Sequence, residues 1–187
     1  MSMIFLPQGL ADLTPQQRGA LVTDVIESTD ALHTDDFIIA LLQHDVDVSV
    51  PGFCGYAMLI NAARCRNPAV LEAILKKPGA DINIANSEGT TAFMLATSLG
   101  KFDNMKFLTL KDANVNAQNT VGETALNIFM HVIYRNDLPA GVMKAGTDAF
   151  LRHLLFDAKC DPNIADGHGL APLDTCALLK DSLKVKW

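Results

Sequence analysis

Apolar positions along this chain recur as short helical stripes, and the stripes come in pairs. Leu21, Val22, Val25 and Ile26 fall on one helical face behind Thr14-Pro15-Gln16-Gln17. That tetrad offers an N-cap hydroxyl, a proline at the first helical position and a reciprocal glutamine, so a helix is expected over about 15–29. A second stripe, Phe37, Ile38, Leu41 and Leu42, starts near Asp35. Leu59, Ala62 and Ala63 then mark a short helix. Val70, Leu71, Ile74 and Leu75 mark its partner, which stops at Gly79, where a left-handed cap is wanted. Phe93, Leu95 and Ala96, capped by Thr91, pair with Met105, Phe107 and Leu108 across a turn at Gly100. Leu126, Ile128 and Phe129, capped by Thr124, pair with a helix expected over Ala149 to Phe156.

The polar segments between pairs repeat as well. Ala80-Asp81-Ile82-Asn83-Ile84-Ala85-Asn86 returns as Ala113-Asn114-Val115-Asn116-Ala117-Gln118-Asn119, and 113 minus 80 sets a period of 33. Gly89-Thr90-Thr91-Ala92-Phe93 returns as Gly122-Glu123-Thr124-Ala125-Leu126, and 122 minus 89 is again 33. Two separate landmarks with one period define a repeating structural unit. Gly55-Tyr56-Ala57-Met58-Leu59 precedes this series in the same phase; 89 minus 55 is 34, with Pro78 as the extra residue. From Gly122 to Gly169 the interval is 47, which exceeds the period by 14, so an insertion is expected near 134–146. The expected organisation is an irregular lead-in over 1–12, then a single domain over 13–187. Its units are an N-terminal cap over 13–51, repeats over 52–85, 86–118 and 119–165, and a partial C-terminal cap over 166–187.

Composition narrows the function. The 187 residues are 49% hydrophobic and 19% charged, which suits a folded chain rather than a disordered one. A net charge of −6 argues against a surface that tracks nucleic-acid phosphates. No apolar run reaches the roughly 18 residues that mark a membrane span, and Met1–Leu13 lacks the basic start of a secretory signal. Cys54, Cys65, Cys160 and Cys176 show neither CxxC nor zinc-ligand spacing, so reduced thiols in a cytoplasmic protein are expected. His33, His44, His131, His153 and His168 lack ligand spacing too, and no cofactor or metal is expected. Gly167-His168-Gly169 is a turn signal, not a phosphate cradle.

The repeats resemble the ankyrin repeat, whose unit runs roughly D-x-x-G-x-T-P-L-H-x-A-A, a glycine turn, and a second helix closing on G-A-D-V-N-A. Gly89, Thr91, Phe93, Ala96, Gly100, Leu108, Ala113, Val115, Asn116 and Ala117 match or conservatively replace motif positions, as do Asp161, Asn163, Asp166, Gly169, Pro172 and Leu173. The departures carry information. Ala57 and Ala171 stand where a capping threonine is expected, a loss worth about 1 kcal/mol each. Asp112 and Lys159 replace the C-cap glycine, and Lys159 would have to take a positive φ. The implied fold is an all-α solenoid of stacked helix-turn-helix units with hairpin loops, each unit covering its neighbour's apolar face.

The resemblance also implies work. Ankyrin stacks bind protein partners on the concave side, so a noncatalytic protein–protein interaction module, a monomer, is expected. The family's partner-facing positions fall here on Phe53, Tyr56, Arg64, Glu88, Thr90, Val121, Glu123, His131 and His168. Phe53 and Tyr56 offer aromatic anchors, or else pack beneath the N-terminal cap unit. Glu88 and Glu123 offer an acidic strip for a partner with a basic segment, or else an ordinary solvated surface. The 134–146 insertion binds something or folds back passively. A second functional reading is a substrate-recruiting domain of a larger enzyme, or of a bacterial effector delivered into host cytoplasm. A weaker third is a thiol hydrolase pairing Cys65 or Cys160 with His131 or His153.

Overall fold

A computed structural model describes residues 9–28, 35–52, 56–134, 139 and 146–175. After a 3-10 turn at Leu10–Asp12 come α1 (Pro15–Glu27), α2 (Asp35–Leu41), α3 (Met58–Ala62), α4 (Ala69–Leu75), α5 (Ala92–Ser98), α6 (Phe102–Leu110), α7 (Ala125–Tyr134) and α8 (Thr147–Arg152). The helix α8 runs on into a π-helical turn, His153–Asp157, and a further helical stretch covers 172–175. Among the described residues there is no strand. The hairpins contribute only isolated bridges, Pro51 with Ala57 and Ala85 with Thr91.

Helices this short do not hold themselves, since an isolated helix below about 12–15 residues is marginal in water. Their stability comes from neighbours. The helices α1, α3, α5 and α7 pack in succession as one layer, and α2 packs on α4 in the other. That second layer continues from α6 to α8 through the rings of Phe102 and Phe150, with centroids 4.7 Å apart. Phe150 in turn stacks on Phe129 of α7 at 5.4 Å. Val22, Leu41, Met58, Leu71, Phe93, Met105, Leu108, Leu126, Phe129 and Leu154 lie in one continuous buried cluster running the length of the stack.

The helix ends follow the sequence closely. Thr14 Oγ1 accepts the Gln17 N–H, and Gln17 Oε1 accepts the Thr14 N–H at 2.8 Å, a complete capping box. Thr91 caps α5 through the Met94 N–H, and Thr124 caps α7 through the Asn127 N–H. Asn127 Oδ1 answers with a 3.0 Å bond from the Thr124 N–H. Ala57 makes no cap bond, as its methyl dictates. Ala171 is partly compensated, because Asp174 Oδ2 accepts its N–H at 3.1 Å. Asp112 and Lys159 both adopt φ 58°, the conformation that Gly79 reaches at 78° without a Cβ.

The helix expected over Ala149 to Phe156 is interrupted. Leu154 accepts the Cys160 N–H six residues on, where Leu108 accepts the Ala113 N–H five residues on. One inserted residue is therefore absorbed in the π turn, which keeps Leu154 buried. The rest of the expected insertion lies almost wholly at 135–138 and 140–145, outside the described residues. Within the π turn, both ring nitrogens of His153 are engaged, one with Thr109 Oγ1 of α6 and one with Asp157 Oδ2, each at 3.0 Å.

Gly89 and Gly169 occupy equivalent turns with φ of 74° and 79°, but their surroundings differ. A Cβ on Gly89 would lie 2.8 Å from Asn119 Cα of the next hairpin, whereas one on Gly169 would meet nothing within 4 Å. Gly169→Ala should therefore cost only the left-handed penalty of about 1–2 kcal/mol. Gly89→Ala should add about 1–3 kcal/mol of overpacking, and urea midpoints of the two variants will show whether that gap exists. Conversely, Lys159→Gly should stabilise the fold by about 1 kcal/mol, because it relieves a positive φ; an unchanged or lower melting temperature would contradict this.

Candidate functional site

Three hairpin tips are built to one plan. Asn86 Oδ1 accepts the N–H groups of Glu88 (3.0 Å) and Thr90 (2.7 Å). Asn119 Oδ1 accepts those of Val121 (3.1 Å) and Glu123 (2.8 Å). Asp166 Oδ1 accepts those of His168 (2.8 Å) and Leu170 (3.0 Å). A side chain that mimics a backbone acceptor thus holds each turn. The tips are then joined edge to edge: the Thr120 N–H donates to Glu88 C=O at 2.9 Å, and the Gly167 N–H to Val121 C=O at 2.8 Å. The three tip-builders were legible as recurring Asn or Asp three residues before a glycine, yet sequence reasoning passed over them as sites.

This frame fixes the candidate residues. Glu88 and His168 are exposed at their tips, and Val121 is 56% exposed. Thr90 is half-buried beneath the first tip, and Arg64 is exposed just beyond α3. Tyr56 is half-buried, and its carbonyl accepts the Gly52 N–H at 2.9 Å. Phe53 lies outside the described residues, so the expected aromatic pairing has only Tyr56 in place. Glu123 and His131, eight residues apart, come together: Glu123 Oε1 meets His131 Nδ1 at 2.9 Å, and Glu123 Oε2 accepts the Asn119 side-chain amide at 3.2 Å. The expected acidic strip therefore consists of one solvent-facing carboxylate, Glu88, and one held by side-chain hydrogen bonds, Glu123.

Electrostatics bear on the last tip. Burial alone would raise the Asp166 carboxyl, but the N–H groups of Leu170 and His168, with the His168 and His131 side chains near, hold it below the usual carboxylate range. Asn86 and Asn119 do the same structural work without titrating.

The cysteines are poor nucleophiles. Burial pushes the thiols of Cys65 and Cys160 up to about 12, so neither offers thiolate near neutrality. His131 is bound to Glu123 and His153 to Thr109 and Asp157, so neither imidazole forms with these thiols the dyad of the weaker third reading. Cys54 lies outside the described residues. Among the described residues no cluster of three or more His, Cys, Asp or Glu could hold a metal ion. No described helix is long and apolar enough to cross a membrane.

Residues 41–96 match a family described as ankyrin repeats (many copies), and residues 88–120 match the single ankyrin repeat. Together these matches, over residues 41–120, support an ankyrin-repeat family for the chain. Domains of this family generally mediate protein–protein interaction and are typically non-catalytic. A comparison with curated proteins found no match.

The Asp166 geometry sets a pH dependence. Its folded pKa is depressed, so its stabilisation is present above the unfolded value near 3.9 and is lost as pH falls through the lower folded value. Asp166→Asn, copying Asn86 and Asn119, should keep the tip closed in acid. Amide-exchange protection of His168 and Leu170 should drop below about pH 4 in the wild type and stay level in Asp166→Asn.

Proposed function

We propose that the hairpin-tip face, on the concave side of the stack, binds a protein partner as a rigid surface without catalysing a reaction. The observation that carries this reading is the exposed Val121 between Glu88 and His168, on tips fastened to one another by backbone hydrogen bonds. An aliphatic side chain held in water on a pre-organised loop gains on burial, at no further ordering cost to the loop. Glu88 then selects charge and favours a partner carrying a basic segment. The Glu123–His131 pair supplies a fixed acceptor beside it, and Tyr56 and Arg64 extend the face toward the N-terminal end. Its place in the cytoplasm and its monomeric state belong to the same proposal.

A photoreactive side chain placed at 121 should cross-link a partner that the same group at 110, on the opposite helices, does not. Cross-linking at 110 alone, or equally at both, would reject the assignment. With a captured partner in hand, Glu88→Lys and Val121→Asp should each weaken binding by about tenfold or more while leaving the far-ultraviolet circular dichroism unchanged.

A further inference from the structure

The three hairpin tips share one plan, but only the third places a glycine after its tip-building side chain: Asn86-Ser87, Asn119-Thr120 and Asp166-Gly167. The chain holds one Asp-Gly pair and no Asn-Gly pair. Packing explains the glycine. A Cβ on residue 167 would lie 2.5 Å from the oxygen of Val121, the carbonyl to which the Gly167 N–H donates at 2.8 Å. The close approach that fastens the third tip to the second therefore excludes a side chain here. That same bareness leaves the Gly167 nitrogen uncrowded beside the Asp166 carboxyl, the arrangement in which an aspartyl residue cyclises most readily.

We propose that Asp166-Gly167 is a site of spontaneous isoaspartate formation, gated by the bond between the second and third tips. The Gly167 backbone nitrogen attacks Asp166 Cγ and gives up its proton. The carboxyl gives up hydroxyl, so one water leaves and a succinimide ring closes. Water then adds back to the ring. Opening at the Cγ–N bond restores aspartate, whereas opening between the Asp166 main-chain carbonyl and the nitrogen gives isoaspartate. In that product the chain runs through Cβ and Cγ, and the former main-chain carbonyl is the free carboxylate. Atoms balance with no co-reactant, because the water lost is regained. The inference stands whether or not the tip face binds a partner.

The closed tip opposes the first step. The attacking nitrogen is engaged by the Val121 carbonyl, and Asp166 Oδ1 is held by the N–H groups of His168 and Leu170 at 2.8 and 3.0 Å. The main chain is pinned as well: the Asp166 N–H donates to Leu170 C=O and the Gly169 N–H to Asp166 C=O, each at 2.9 Å. A carboxyl held below its usual range stays ionised, which makes Cγ a poor electrophile. Reaction therefore runs through the opened tip and tracks how often the tip opens. Isoaspartate then adds a methylene to the main chain and turns Cγ into a peptide carbonyl, so the third tip cannot re-form as built.

The test holds the wild-type protein at physiological pH and temperature, folded and in urea. Isoaspartate at 166 is read by isoaspartyl carboxyl-methyltransferase labelling with peptide mapping. It should accumulate at 166 in both samples, about tenfold or more slowly in the folded one. Gly122→Ala places a methyl 2.5 Å from the Gly167 nitrogen, and should raise the folded rate about threefold or more. The modified wild-type fraction should keep its helical circular dichroism but lose amide-exchange protection at Gly167, His168 and Leu170. Absence of isoaspartate at 166 in the unfolded chain would overturn the site. Equal rates in the folded and unfolded samples would overturn the gate, and a modified fraction with full protection would overturn the opening of the tip.

Discussion

A single contact, the backbone hydrogen bond from one hairpin tip to the next, decides how this molecule is arranged. Thr120 to Glu88 and Gly167 to Val121 are the same bond one repeat apart. For it to form, neighbouring tips must approach until a Cβ on Gly89 or Gly122 would strike the facing backbone. The glycines thus serve twice, permitting a positive φ and permitting proximity. A repeated side-chain bond fastens the loops after the outer helices in the same way. The Asn114 N–H donates to Asn83 Oδ1, and the Asp161 N–H to Asn116 Oδ1, at 2.7 and 2.8 Å. With both ends of each unit pinned, the helices between them have little freedom to slide, and their apolar stripes meet in register.

Buried polar groups add specificity to that register. Asn104 of α6 donates to Ala63 and Cys65 carbonyls of the preceding unit, at 2.9 and 2.8 Å, and so caps the end of α3 from next door. Its Oδ1 is buried without a protein partner, a cost that a purely apolar residue would not incur. Such a residue discriminates among stacking partners more than it stabilises, since only one offset brings both carbonyls within reach. The Thr109–His153 bond does similar work at the following junction. Neighbouring units are thus not interchangeable, as they would be in a consensus array.

Much of the fold was legible because its determinants are local. Thr14, Thr91 and Thr124 cap where the tetrads place them, and the period fixes which apolar stripes stack. Even the strain at Lys159 followed from alignment with Gly79, and Asp112 proves to share its φ. What escaped was whatever depends on how an irregularity is absorbed. The long interval between Gly122 and Gly169 is plain in the sequence, but it does not reveal that one residue goes into a π turn, because the choice is set by keeping Leu154 and Phe150 buried. Likewise, the aligned motif positions put Glu123 and His131 on the same face. Only the turn of α7 that carries His131 back over the tip makes them a bonded pair.

The hairpin tips separate the groups that build the repeat frame from the side chains left on the surface. The residues that hold the tips together use backbone groups and the side chains of Asn86, Asn119 and Asp166, all directed inward. The side chains of Glu88 and Val121 make none of these frame bonds, so their chemistry is free to vary without loosening the stack, whereas that of His168 also bears on the charge of Asp166. Val121 leaves more than half of its surface in water, and that apolar surface would gain from being covered. Frame-building and exposed positions thus alternate within five residues of each hairpin. A change at Asn119 should disturb every function of the molecule, while a change at Val121 should disturb one.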